Sequence, residues 1–127
     1  MLARTIADIS NEWLEAWSKG EPAPVGAEVG ECLLDWELPR EEPELCLEVI
    51  LNILSKLGGN PGDKRFSVLA AGPLEDLLAH HGSKVIDAIE NYAKANPDFS
   101  LLLGGVWRSS IDASVWERVQ HVAKSGW

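Results

Sequence analysis

The sequence lacks the features that mark membrane proteins and nucleic-acid-binding proteins. No apolar run approaches the roughly 20 residues that a transmembrane helix needs. Only 11 Lys and Arg residues stand against 20 Asp and Glu residues, which gives a net charge of −9 at pH 7. A protein that binds a phosphate backbone needs the opposite balance. We therefore expect neither a membrane nor a nucleic acid as a partner.

Cysteine is also scarce. Cys32 and Cys46 are the two cysteines of the chain, and neither lies in a CxxC motif or near a histidine at metal-ligand spacing. We expect both thiols to be reduced and half-buried, without a disulfide framework. The N-terminal stretch MLARTIADISNEW carries acids where a secretory signal needs an apolar run, so we expect a cytoplasmic location.

Catalytic motifs are missing as well: no serine lies in a GxSxG context, and no glycine-rich loop suited to phosphate is present. In LEDLLAHHG, Asp76 and His80 are four residues apart and His81 follows, which is only half of a zinc site. Helix-end charge preferences explain these residues better, since acids favour the start of a helix and histidines its end. We expect no enzyme, no metal and no cofactor. A small metal-dependent hydrolase built on these three residues is the least favoured alternative.

Apolar residues recur at three- and four-residue steps, whereas no stretch alternates long enough to form a strand. The pattern predicts an all-α fold in one domain, 1–127, with about five to six helices. We expect an irregular antiparallel helix bundle or a short stack of helix pairs. The predicted helices cover residues 5–19, 43–57, 65–81, 83–96, 97–104 and 112–124.

Local signals define several helix ends. Thr5 and Asp8 have the spacing of a capping box, and Pro43 suits the first residue of a helix because its missing N–H is not needed there. Between 43 and 57 only a narrow polar stripe remains, so this helix is predicted to be the most buried. Gly72-Pro73 interrupts the segment 65–81. We predict one kinked helix there, with two helices meeting at Gly72 as the alternative.

Three strings in the sequence are distinctive: LAAGPLEDLLAHHG at 69–82, IENYAKANPDFSLLLGGVW at 89–107 and VWERV at 115–119. Together they resemble the signature of a family of small bacterial proteins of unknown function. The resemblance covers roughly residues 36–119 and implies an all-helical bacterial domain. It brings no catalytic residues with it.

Negative charge is concentrated in the first half of the chain. Residues 1–63 hold 13 Asp and Glu against 4 Lys and Arg, whereas residues 64–127 hold 7 of each kind. The centre of this excess is GAEVGECLLDWELPREEPELCLE, residues 26–48, with eight carboxylates, one arginine and one tryptophan. We expect this segment to face either water alone or a basic protein.

Six tryptophans are a large share for 127 residues. Trp13, Trp17 and Trp116 fall on apolar helix faces, and Trp107 follows a glycine pair, so we predict all four to belong to the core. Trp36 stands among acids outside any predicted helix. It either packs the acidic segment onto the helices or anchors a partner, since tryptophan is enriched at interface hot spots.

A small acidic helical protein without an active-site pattern suits a stoichiometric inhibitor. We expect a protein-binding immunity protein that neutralises a basic bacterial toxin through its acidic surface. A helical scaffold or adaptor subunit that uses the same surface is the alternative. The predicted partner-binding residues are Glu28, Glu31, Asp35, Trp36, Glu37, Glu41, Glu42 and Glu44.

Overall fold

A computed structural model describes residues 5–17, 38–108 and 110–123. These residues form six helical runs and contain no strand, which confirms the all-α prediction. None of the described helices combines the length and the apolar character that a membrane span requires. The elements are α1 (Ile6–Ala16), α2 (Leu38–Glu41), α3 (Pro43–Leu57), α4 (Lys64–Leu69), a π-helical turn (Ala70–Leu74), α5 (Glu75–Ala95), α6 (Pro97–Leu103) and α7 (Ala113–Val122).

Helix α1 begins with the predicted capping box. The Thr5 hydroxyl accepts a hydrogen bond from the Asp8 N–H at 3.0 Å, and the Asp8 carboxylate accepts one from the Thr5 N–H at 3.2 Å. Ile9 and Trp13 are buried, as the apolar periodicity requires. The predicted C-terminal end at Lys19 lies outside the described residues.

Helix α3 begins at Pro43 and ends at Leu57, as predicted, and Gly58 follows with a φ of 70° that favours glycine. Val49, Ile50 and Ile53 have no solvent exposure. The short α2 was not predicted, because Pro39 was expected to stop any helix. Instead Pro39 lies in the first turn of α2, where the missing N–H has no helical partner to lose.

The run from α4 to α5 confirms the prediction of one kinked helix through Gly72-Pro73. The chain widens into a π-helical turn, so that Pro73 is accommodated without ending the helix. The predicted helix boundary before Gly82 is also present, because two helical segments meet at a kink at His81. The backbone deviates from helical angles at His81 (φ −137°, ψ 28°) and then continues to Ala95.

Gly82, directly after this kink, also has a role in packing. A Cβ at this position would lie 2.9 Å from the Cγ1 of Val115 on α7, closer than carbon atoms pack. The glycine therefore allows α7 to approach α5. Arg118 of α7 fixes the same contact by ion pairs to Glu90 and Asp87 of α5, at 2.5 and 2.6 Å.

The main helices pack in a simple order, with α1 on α3, α3 on α5, and α5 on α7. Helices α2 and α6 both contact α5. Side chains on α1, α3, the π-helical turn, α5, α6 and α7 contribute to one continuous hydrophobic core. Asn96 and Asp112 cap α6 and α7 through their side chains, so both predicted helix starts are confirmed to within one residue.

Helices α1 and α3 each carry one buried polar atom without a described partner. Ser10 Oγ on α1 and Asn52 Oδ1 on α3 are buried and have no hydrogen-bond partner within the described part of the chain. A buried polar group without a partner costs about 1–3 kcal/mol.

We expect Ser10→Ala to raise the free energy of unfolding by about 1 kcal/mol and the Tm by about 3–6 °C, since no described residue pairs with the buried hydroxyl. Ser83→Ala, at an exposed position of α5, is the matched control because it changes only helix propensity. Thermal unfolding followed by circular dichroism measures both variants. Equal shifts would show that the Ser10 hydroxyl is satisfied in solution.

Candidate functional site

The predicted partner-binding residues fall into two groups. Glu28, Glu31, Asp35, Trp36 and Glu37 lie outside the described residues. Three others, Glu41, Glu42 and Glu44, lie where α2 meets α3, and all three are exposed. Glu48 is exposed one turn further along α3. We call Glu41, Glu42, Glu44 and Glu48 the acidic edge.

Buried residues on both sides hold the acidic edge in place. Leu38 and Pro39 of α2 are buried, and so is Pro43 at the start of α3, so the glutamates between and after them project outward. Glu44 and Glu48 are four residues apart and therefore share one face of α3. The Glu42 side chain caps no backbone N–H, which leaves its carboxylate available.

The carboxylates of the acidic edge form no ion pair with any described residue. Part of their placement has a structural reason, because acids near a helix N-terminus are stabilised by the helix dipole. That effect falls off within the first turn, whereas Glu48 lies beyond it. The acidic edge is thus more extended than helix capping requires.

Helix α2 contacts α5 at His81, where the backbone of α5 kinks. The Nε2–H of His81 donates to the Arg40 carbonyl at 2.5 Å, so the deviation of the backbone at His81 coincides with a contact to α2. Burial raises the pKa of the Asp76 carboxyl above its usual value, although the nearby charges of His80 and Arg40 oppose this shift. Asp76 is therefore a partly buried carboxyl near Arg40, the residue that precedes Glu41.

Asp76, His80 and His81 do not converge on one point. His80 is exposed, whereas His81 is turned toward the Arg40 carbonyl. Among the described residues, no group of three or more His, Cys, Asp or Glu side chains could hold a metal ion. The geometry thus gives no support to the metal-dependent hydrolase.

Cys46 is fully buried in α3, deeper than the half-buried position predicted. Burial, with a further contribution from the Asp76 charge, raises the pKa of its thiol far above the usual value. A thiol that stays protonated is a poor nucleophile and a poor metal ligand. Cys32 lies outside the described residues.

The tryptophan predictions have a mixed outcome. Trp13 is fully buried, and Trp17 and Trp116 are partly buried against the core. The prediction for Trp107 was wrong, because its side chain is 75% exposed. After the turn that ends α6, Val106 and not Trp107 enters the core. The polar residues that follow it, Arg-Ser-Ser, were the only sign of this in the sequence.

Comparison with known proteins places the chain in a family without assigning a function. The model of a family of unknown function, DUF6869, matches residues 29–126, which include α2 to α7 and leave α1 outside. Searches of curated proteins and of solved structures find no significant match. Since the family model covers most of the sequence, this chain belongs to DUF6869, a family of unknown function.

Proposed function

We propose that the protein is a protein-binding inhibitor whose acidic edge binds a basic partner. One observation carries the proposal: four exposed carboxylates within eight residues form no ion pair with any described residue. Such an arrangement repels itself, and a cationic partner would relieve the repulsion. Immunity to a bacterial toxin is the specific role we propose. Many toxins act on nucleic acids or nucleotides and are therefore basic around their active sites.

The acidic edge also suits inhibition on kinetic grounds. Carboxylates at the rim of an interface accelerate association by steering a cationic partner, and fast association is what an inhibitor of a toxic enzyme requires. A scaffold or adaptor subunit would use the same surface without this kinetic demand. Protection of cells that express the product of a neighbouring gene, tested with and without this protein, distinguishes the two roles.

We expect Glu41→Gln together with Glu44→Gln to slow association with the partner by about 3–10-fold at low ionic strength and to weaken its salt dependence. The matched control is Glu15→Gln with Glu117→Gln, which removes the same charge from exposed positions on α1 and α7. The partner is recovered by pull-down and mass spectrometry, purified, and measured by stopped-flow mixing. Equal association rates for the two double variants would contradict the proposal.

A further inference from the structure

The indole of Trp107 is the most exposed large apolar group of the described residues. Its side chain is 75% exposed, and the other exposed large apolar residue, Tyr92, is 41% exposed and packs edge-on against Phe99 at 6.3 Å. Within the described part of the chain, Trp107 has no aromatic contact. Tryptophan is enriched among the residues that contribute most to binding at protein interfaces, so an exposed indole is a candidate binding group.

The backbone around Trp107 is held on both sides. Val106 and Ile111 are 5% and 3% exposed, which anchors the segment in the core before and after the indole. The Trp107 N–H donates to Glu75 Oε1 at 3.2 Å, and the Ile111 N–H donates to the Arg108 carbonyl at 2.8 Å. An aromatic side chain on a fixed backbone loses little conformational entropy when a partner binds it.

The first turn of α5 connects Trp107 with the acidic edge. Glu75 contacts the Trp107 backbone, and the next residue, Asp76, lies beside Arg40 of α2, which directly precedes Glu41. Glu75, Asp76 and Arg40 therefore lie between the Trp107 backbone and the start of the acidic edge. Arg108 is the basic residue next to Trp107. The pKa of the nearby Asp112 carboxyl is lowered mainly by the hydrogen bonds from Ser114, and the charge of Arg108 makes a smaller contribution.

We infer that Trp107 is the aromatic anchor of this surface, and that its occupant is a basic protein that presents arginine or lysine side chains. A cationic side chain is attracted to the face of an indole, and the neighbouring carboxylates favour the same charge. A second copy of the chain is disfavoured, because each copy carries a net charge of −9. The inference rests on the proposed function and specifies where the partner is held.

The test uses the full chain labelled with 5-fluorotryptophan, which places one ¹⁹F signal on each of the six tryptophans. Trp107→Phe identifies the Trp107 signal. At low ionic strength a deca-arginine peptide is expected to shift this signal more than any other, whereas a deca-glutamate peptide leaves it unchanged. Glu41→Gln with Glu44→Gln should weaken the affinity for deca-arginine about threefold or more.

Two results would overturn the inference. One is an unchanged Trp107 signal at saturating deca-arginine. The other is a Trp107 signal that moves with protein concentration alone, which would identify a second copy as the occupant. With the purified partner, Trp107→Ala should raise the dissociation rate about tenfold or more and leave the association rate within about twofold. Tyr92→Ala removes the other exposed aromatic and should leave the dissociation rate unchanged.

These measurements separate the inference from the proposed function. If the acidic-edge variants slow association but Trp107→Ala leaves the dissociation rate unchanged, the acidic edge binds the partner without this anchor. If deca-arginine moves the Trp107 signal but cells gain no protection from a toxin, the cation-binding surface stands and the immunity role fails.

Discussion

Ile50→Asp is expected to unfold the protein at 25 °C. Ile50 is in the middle of α3, it has no solvent exposure, and α3 contacts both α1 and α5. A carboxylate at this position loses its hydration without gaining a partner, which costs several kcal/mol. The whole stability of a domain of this size is about 5–15 kcal/mol. We expect the helical circular dichroism signal and the cooperative thermal transition to be lost.

Asn91→Asp is the matched control, because it introduces the same side chain at an exposed position of α5. Its Tm should remain within about 2–3 °C of the wild type, as is usual for surface substitutions. If Ile50→Asp instead melted cooperatively near the Tm of Asn91→Asp, α3 would not be the centre of the core.

Helix ends defined by neighbouring residues were predictable from the sequence. The start of α3 at Pro43 follows from the fixed φ of proline, and the capping box of α1 follows from the spacing of Thr5 and Asp8. Asn96 caps α6 for the same kind of reason. Each signal lies within about four residues of the feature it controls, so no knowledge of packing is needed.

Features that depend on distant residues were not predictable. The apolar pattern places Glu90 on a polar helix face, which suggests a free surface carboxylate. Instead, hydrogen bonds from Arg118, 28 residues later, hold the pKa of Glu90 below its usual value. The exposure of Trp107 likewise depends on which residues of the preceding turn reach the core. The apolar periodicity of a single helix indicates neither the contact of Arg118 with Glu90 nor the exposure of Trp107.

The candidate surface was predictable only in part. Charge counting pointed to Glu41, Glu42 and Glu44, whose exposure follows from their high desolvation cost. The tryptophan proposed to accompany them was Trp36, which lies outside the described residues. Trp107 is more than 60 residues from these glutamates in the sequence, and Glu75 and Asp76 of α5 lie between its backbone and α2.

Gly82→Leu is expected to destabilise the protein by about 3 kcal/mol, at the upper end of the range for overpacked sites. Even a single Cβ at Gly82 would lie 2.9 Å and 3.3 Å from the two methyl carbons of Val115, and the rest of a leucine side chain has no space between α5 and α7. Helix propensity acts in the opposite direction by about 1 kcal/mol, which is too little to compensate. The free energy of unfolding is measured by urea titration.

The double variant Gly82→Leu with Val115→Ala tests the cause of this effect. Val115→Ala alone removes buried methyl groups and should cost about 1–3 kcal/mol, yet in the leucine background it removes the atoms that clash. The loss in the free energy of unfolding of the double variant is therefore expected to be about 1–2 kcal/mol smaller than the sum of the losses of the two single variants. If the change in the double variant equals the sum of the two single changes, Gly82 is needed for the backbone conformation next to His81 and not for the approach of α7.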